Sequence, residues 1–384
     1  MKSIRIQHVI NSLSVGGAQM MLLKLLSRLD RTRFSPEVIS LTNHGELASN
    51  FVDLDIPLWS LGMKRGLPNP YYLLKLARHL RSRKPDLIQT WMYHADFLGG
   101  IAALLANKPP VVWNVRHSNL DTKIDKRSTI LTAKACALTS RYLPSRIVCC
   151  AHKASQMHVQ LGYDVAKMCV IPNGFDVNKF CPSAESRLHV RKELDIPENA
   201  IIIGFVSRFH PMKDHQGFIH SAAILSKQQH DVHYVLCGDD VVWENSALSE
   251  PIRTLGLGDV FHLLGRRSDI PRLTTSFDIA ALPSACGEAF SNSIGEAMAS
   301  AVPCAVTDVG DAAYIVGDTG IVVPPRRPDE MAAAWLKLIL MGAEHRRDLG
   351  FRARQRVLGH FTLDTVVNQY QEIYHSILQN CRQQ

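Results

Sequence analysis

Between Gly287 and Asp308 the chain reads GEAFSNSIGEAMASAVPCAVTD. The residues just before it, FDIAALPS, form an apolar run of the length expected for a buried strand. After Phe290, Ser291 and Asn292 are of the type that caps helices, and Ile294, Ala297 and Met298 recur at helical spacing. Pro303 is expected to end that helix, and CAVTD resumes a strand pattern. Strand, loop, helix and strand in so short a stretch restrict the chain to the α/β class. Two glutamates lie here, Glu288 before the helix and Glu296 near its second turn, with seven residues between them. A helix mouth offers unpaired N–H groups and a positive dipole end to a phosphate. A carboxylate at 288 can reach a sugar hydroxyl, and one at 296 can accept from a diol such as ribose. The pattern suits a molecule with a sugar, a diphosphate and a ribose. The plainer alternative is two acids that stabilise a helix N-terminus through its dipole.

The length of 384 residues exceeds one ordinary core and suits two domains. No run of about 18 apolar residues occurs, so no spanning segment is expected. The N-terminal MKSIRIQHVI runs straight into a strand pattern without a signal peptide's apolar stretch. Nine cysteines with no C-x-x-C, and no export signal, imply reduced thiols and a cytoplasmic setting. The net charge of +8 is uneven. Residues 1–180 carry 24 Lys+Arg against 11 Asp+Glu, giving +13, and residues 181–384 carry 19 against 24, giving −5. The basic half could face anionic lipid, a pyrophosphate-bearing acceptor or nucleic acid. No zinc-finger, RRM or helix-turn-helix signature occurs, so nucleic acid is not expected as a partner.

In chain order, Ile4–Ile10 reads as a strand and is followed by a glycine turn at Gly16-Gly17 and an apolar helix. Two glycines there let backbone approach a ligand at the helix mouth. The dinucleotide fingerprint G-x-G-x-x-G is absent. Asp53-Leu54-Asp55 matches the D-x-D of metal-dependent glycosyltransferases but sits at a helix end, so it reads as chance. Tyr71–Lys84 reads as an amphipathic helix, with Tyr72, Leu73, Leu76 and Leu80 apolar and Lys75, Arg78, Arg81, Arg83 and Lys84 basic. It suits either an anionic membrane surface or an ordinary domain surface. Arg116-His117-Ser118 follows the strand Val111–Val115, at a carboxyl end where parallel sheets bind ligands. A polar stretch from Pro172 to about Glu185 reads as the linker. Beyond it, Arg208 and Lys213 lie in a loop between a strand and a helix, where two cations could clamp a diphosphate. Gly265 to Pro271 follows a further strand, and the chain ends in helices.

Two β/α halves, the glycine turn, the Arg/Lys loop and E-x7-E together resemble the retaining family 4 glycosyltransferases of GT-B fold. The stretches that carry the likeness are IPNGFD at 171–176, SRFHPMKD at 207–214, GEAFSNSIGEAMA at 287–299, VPCAVTDVG at 302–310 and GIVVPP at 320–325. The resemblance implies two Rossmann-like domains facing a central cleft. These are an acceptor domain over 1–180, a donor domain over 181–360, and a last helix, 361–384, crossing back to the first. It implies that Arg208 and Lys213 bind the donor diphosphate and stabilise the leaving nucleotide. Glu296 would hold the ribose, and Glu288 the sugar hydroxyls, helped by backbone N–H groups from Ala289 through Phe290 and Ser291 to Asn292. Gly16 and Gly17 would approach the diphosphate, His117 the sugar, and Gly265, Asp269 and Ile270 the base. Many relatives carry glycine or proline after the phenylalanine where this chain has Ser291, which bears on the sugar preference.

The implied reaction moves a sugar from a nucleotide diphosphosugar to an acceptor hydroxyl with retention. No cofactor or metal is expected, because the loop cations take a metal's part. The stretch WNVRHSNLD at 113–121 resembles enzymes that build O-antigen, capsule or exopolysaccharide. The implied acceptor is a glycan or a polyprenyl-diphosphate-linked glycan, met in the cytoplasm or at the inner membrane face. Competing readings are a nucleotide-sugar epimerase of the same shape, a sugar phosphorylase, and a non-enzymatic two-domain sugar-binding protein.

Overall fold

The computed structural model describes residues 3–64, 69–118, 120 and 126–383, so Asn119 and Asp121 of the 113–121 stretch lie outside the described residues. The chain divides into two units. The first comprises Met1–Gly174 with Leu363–Gln384, and the second is Phe175–Thr362.

In the first unit the strands are β1 (Ile4–Ile10), β2 (Phe34–Ser40), β3 (Leu58–Ser60), β4 (Leu87–Trp91), β5 (Val111–Val115), β6 (Arg146–Cys149) and β7 (Met168–Val170). They pair in the order β3-β2-β1-β4-β5-β6-β7, parallel throughout. The second unit has β8 (Ile201–Val206), β9 (Val232–Cys237), β10 (Phe261–Leu263), β11 (Ile279–Leu282), β12 (Cys304–Thr307) and β13 (Gly320–Val323). Their order, β10-β9-β8-β11-β12-β13, repeats the first plan, again parallel. Helical crossovers cover such sheets, so their strands read as continuous apolar runs, and β4, β5 and β11 are buried throughout. The order reverses beside β1, toward β4, and beside β8, toward β11. Ligands of doubly wound sheets sit at such switch points, outside the strand carboxyl ends.

Each unit has its own core. In the first, Leu22, Leu25, Phe34, Val38 and Trp91 pack with Leu363, Val366, Tyr370, Tyr374 and Ile377 of the last helix, Leu363–Gln383. Tyr374 donates to buried Gln89 and Asn114 donates to Tyr370, so the helix is fixed by polar as well as apolar contacts. In the second, Phe218 and Trp335 meet with ring centroids 5.0 Å apart, amid Phe205, Tyr234, Phe261 and Ile279.

The division after Gly174 comes six residues before the expected boundary at 180. Phe175 explains it. Its ring stacks on Phe290 at 6.2 Å and fills the space left by Gly295, where an added Cβ would lie 1.9 Å from the ring. Arg354 then ties residues 177–180 to the same unit by donating to the Val177 and Phe180 carbonyls. The Asn292–Ala299 helix also ends earlier than Pro303 suggests, because Ala301 takes a left-handed φ of 59°.

The helix expected over Tyr71–Lys84 spans Pro70–Arg83, capped by Asn69, whose side chain accepts from Tyr71 N. Leu76 and Leu80 are buried, as an amphipathic helix requires. Most of its basic side is occupied within the unit. Lys75 donates to the Leu61 carbonyl and lies over the Trp59 ring, Arg81 donates to the Leu105 carbonyl, and Arg83 pairs with Glu37 at 3.4 Å. No helix among the described residues is long and apolar enough to cross a membrane.

Burial also sets an acid limit on stability. It lowers the imidazole pKa of His8 to about 3, and those of His158 and His215 to about 4. A histidine neutral in the fold but protonated when unfolded contributes stability above about pH 6.5, which is lost as pH falls toward the folded value. Asp96 opposes one of these in the first unit, since burial pushes its carboxyl up. In the second unit the pKa of His262 is lowered to about 4 as well, so stability is expected to fall as pH drops from about 6.5 toward 4. Urea midpoints are therefore expected to fall from pH 7 to pH 5. Unchanged midpoints would show that these rings are hydrated.

Candidate functional site

In the second unit β8 runs into the loop Ser207–Asp214. Backbone bonds from Ser207 N to Cys237 O and from Phe209 N to Asp239 O hold the loop against the end of β9. Gly238 permits that approach, because a Cβ there would lie 2.0 Å from the Ser207 carbonyl. His210 Nδ1 caps the short turn Pro211–Lys213, and Asp214 caps the following helix, His215–Leu225, by accepting from Gly217 N. These caps present Arg208, which is exposed, and Lys213, which is half-buried.

The loop after β11 meets them from the other side of the switch point. Ala285 N donates to Met212 O and joins the two loops. Gly287, at φ +76°, passes Met212 so closely that a Cβ would lie 2.3 Å from its sulfur. This brings Glu288 to Lys213, whose Nζ donates to Oε1 in an ion pair. Ser284 Oγ donates to the same oxygen at 2.8 Å, and Thr307 Oγ1 fixes the Ser284 carbonyl at 2.7 Å. Glu288 is only 8% exposed. From the far side, Asp311 N donates to Ala289 O, and Gly310, at φ +57°, leaves room for the Glu288 carbonyl.

Phe290 is buried, so 289–291 can contribute only backbone and the Ser291 hydroxyl to a ligand. Ser291 is the N-cap residue, but its side chain makes no capping bond and lies 3.3 Å from the Ser293 hydroxyl. Glu296 and Ile270 line one small cavity with Gly204, Val206, Ser293 and Ile294. That cavity lies at the β8–β11 switch point, and it joins two residues 26 positions apart that the sequence assigned to ribose and base.

Gly265, at φ +62°, turns the chain after β10 and is stitched to the β9 loop by Gly265 N to Val241 O and Gly238 N to Gly265 O. Asp269 is engaged differently from a base-reading acid. Arg267 holds it with two bonds at 2.8 and 2.7 Å, Arg272 adds a third at 2.8 Å, and Glu193 bridges both arginines at 2.6 Å. The Arg267 bonds lower its pKa to about 2. The cluster rigidifies the loop and directs the Asp269 carboxylate to the two guanidinium groups.

In the first unit, Gly16 is the extended N-cap residue of the Gly17–Arg28 helix, and Gly17 is its first residue. Asn11 Oδ1 accepts from Ala95 N and so links the ends of β1 and β4 at that switch point. His117 follows β5 and stacks on Tyr93, with centroids 5.2 Å apart and planes at 22°. The Tyr93 hydroxyl lies 2.7 Å from His158 Nε2, and His158 Nδ1 lies 2.7 Å from the Ala154 carbonyl. A carbonyl only accepts, so Nδ1 carries the proton and Tyr93 donates to Nε2. Burial keeps His158 neutral, which preserves that tautomer. Tyr93 and His158 thus position the His117 ring. Sequence reading did not identify them, and His158 lies in a helix with no motif around it. Ser284 was also missed, although its place between β11 and Glu288 is a usable signal.

Asp53 ends the Ala48–Asp53 helix and Asp55 takes a left-handed φ of 52° just beyond it. Among the described residues no group of three or more His, Cys, Asp or Glu side chains could hold a metal ion.

Residues 15–179 match the family described as Glycosyltransferase Family 4, and residues 186–356 match Glycosyl transferases group 1. An Escherichia coli UDP-Gal:alpha-D-GlcNAc-diphosphoundecaprenol alpha-1,3-galactosyltransferase is 29% identical over 241 residues, covering 62% of this chain and 61% of that protein. The match therefore spans about three-fifths of that relative's length. The putative glycosyltransferase EpsF of Bacillus subtilis (strain 168) is 25% identical over 79% of each chain. Among solved structures, Anabaena HepE in complex with UDP-glucose superposes with a TM-score of 0.84 at 23% identity, over 97% of this chain and 100% of that one. Two parallel sheets of Rossmann type, the switch-point pair Lys213–Glu288 and these matches together place the chain in family 4 of the glycosyltransferases, with the GT-B fold.

Proposed function

We propose that this chain transfers a sugar from a nucleotide diphosphosugar to a glycan or polyprenyl-diphosphate-linked glycan in cell-surface polysaccharide synthesis, with retention at the anomeric carbon. The observation that carries the reading is the Lys213–Glu288 ion pair at the β8–β11 switch point, just ahead of the Asn292–Ala299 helix. A UDP-sugar is the first choice of donor and a GDP-sugar the second. The E. coli relative's name specifies UDP-Gal and a diphosphoundecaprenol acceptor, and HepE carries UDP-glucose.

In this reading the diphosphate lies against the N-terminus of the Asn292–Ala299 helix, facing Arg208 and Lys213. Lys213 then exchanges Glu288 for a phosphate oxygen, and Glu288 turns to the sugar hydroxyls. Glu296 accepts from the ribose diol. The bond between the anomeric carbon and the phosphate oxygen breaks, and its electrons go to the departing diphosphate. The acceptor oxygen bonds to the same face of that carbon, and its proton passes to the phosphate oxygen that leaves. Two cations offset the charge that develops there, which places catalysis in positioning and electrostatics without a metal.

The test uses the full chain with UDP-galactose, UDP-glucose or GDP-mannose, with and without a synthetic polyprenyl-diphosphate-linked sugar. Nucleoside diphosphate is expected only when donor and acceptor are both present, with the donor's anomeric configuration kept in the product. Acceptor-independent conversion of the donor sugar would establish the epimerase reading instead. Donor binding with no turnover on any acceptor would favour a sugar-binding protein.

A further inference from the structure

The Arg127–Thr139 helix of the first unit turns Ala133, Cys136 and Ala137 into the core. Its opposite side is unusual for a domain surface. Arg127, Leu131, Lys134 and Leu138 follow one another at steps of four, three and four, which puts them on a single stripe. Leu131 is 66% exposed and Leu138 is 80% exposed. Just past the helix, Arg141 is exposed and Tyr142 is 76% exposed. The neighbouring Tyr93–Leu105 helix packs against this one and ends in exposed Leu104 and Leu105. The hydroxyls on the helix do not interrupt the stripe, because Thr132 and Thr139 bond back to the Ser128 and Ala135 carbonyls.

The charge near these apolar groups is mainly positive, although Asp164 comes close, its N donating to Ser140 Oγ at 2.9 Å. From Lys126 to Tyr163 the chain carries Lys126, Arg127, Lys134, Arg141, Arg146 and Lys153, and no Asp or Glu. Lys126, Arg127, Lys134 and Arg141 make no side-chain ion pair among the described residues. The Pro70–Arg83 helix differs, since three of its cations are engaged within the unit. Apolar side chains flanked mainly by cations match a surface with an acidic outer layer and an apolar interior. A second copy of this chain is a poorer fit. Two-fold contact through the same face would set Lys134 and Arg141 against their own kind.

We propose that the Arg127–Tyr142 face docks on an anionic lipid bilayer, with Leu131, Leu138 and Tyr142 entering the headgroup boundary and Arg127, Lys134 and Arg141 contacting lipid phosphates. The inference does not depend on the transfer reaction, and its test reads binding alone. The full chain is sedimented with vesicles of phosphatidylcholine mixed with phosphatidylglycerol, and with phosphatidylcholine vesicles. Binding is expected to the anionic vesicles only and to weaken as salt is raised. The triple variant Leu131→Ser, Leu138→Ser, Tyr142→Ser is expected to lose at least about tenfold in partitioning. The double variant Lys134→Glu, Arg141→Glu is expected to lose about 25-fold or more, from about fivefold per cation. All five positions are exposed, so thermal unfolding is expected to stay as in the parent, which keeps a loss of binding attributable to the face.

Three results would overturn the proposal. The parent chain could fail to bind anionic vesicles. The triple variant could bind as the parent does, with Leu74→Ser, Arg78→Glu on the other helix abolishing binding. The parent could also form a concentration-dependent dimer in light scattering that the triple variant dissolves, which would make the face a contact between copies.

Discussion

Replacing Lys213 by alanine is expected to lower turnover by about 100- to 1,000-fold, the usual cost of removing one group that stabilises charge at a leaving oxygen. The same change should weaken nucleoside diphosphate binding, measured by isothermal titration of UDP. It should also destabilise the second unit, because Glu288 is buried and would lose its cation. Breaking a buried pair from one side costs roughly 3–5 kcal/mol in well-enclosed cases, and the remaining Ser284 bond reduces that here. The double variant Lys213→Ala, Glu288→Gln separates the two effects. It should regain the stability and not the turnover. If Lys213→Ala turns over and binds UDP as the parent does, the diphosphate assignment of Lys213 is wrong.

Glu288→Gln should give a split result. In the proposed reaction, Glu288 holds the cation that the diphosphate would need, so donor phosphate and carboxylate would compete for Lys213. Glutamine keeps the shape and removes the competing charge. UDP is therefore expected to bind about tenfold more tightly, a change of about 1.4 kcal/mol. Transfer is expected to fall by about 100-fold, since the sugar hydroxyls lose a charged acceptor worth about 1.5–3 kcal/mol per hydrogen bond. Tighter product binding with slower transfer is the signature to look for in titration and initial rates. Equal losses in both would mean that Glu288 only shapes the loop.

Much of the fold was legible because strands such as β8, β11 and β12 are mostly apolar runs closed by a turn and a helix. Two such series with a polar stretch between them imply two sheets, and both are present. Helix ends were less legible. Pro303 marks where a helix cannot continue, but the Asn292–Ala299 helix stops sooner at the left-handed Ala301, which no residue type announces. The unit boundary falls near the start of the expected linker for a similar reason. Residues 175–180 are polar enough to read as a linker, yet Phe175 is fully buried against Gly295.

The candidate site was legible as residue types at strand ends and illegible as contacts. Lys213 and Glu288 were each assigned to a donor, but their pairing across 75 positions depends on the adjacency of β8 and β11. Asp269 looked available in sequence because its arginines can point anywhere until the loop folds. Glu193, from a separate helix, completes that cluster. Tyr93 and His158 behind His117 are 65 positions apart and meet only in the folded unit.

The chain passes from the first unit to the second at Gly174–Phe175 and returns at Thr362–Leu363, and these crossings lie side by side. Phe175 bridges Thr362, and a Cβ on Gly174 would lie 2.8 Å from the Leu363 Cα. In topological terms the second unit is an insertion within the first. During synthesis it can close as soon as its own stretch has emerged. The first unit emerges earlier but lacks Tyr370, Tyr374 and Ile377 from its core until nearly the whole chain is made. The order of emergence from the ribosome is thus the reverse of the order in which the two cores can be completed.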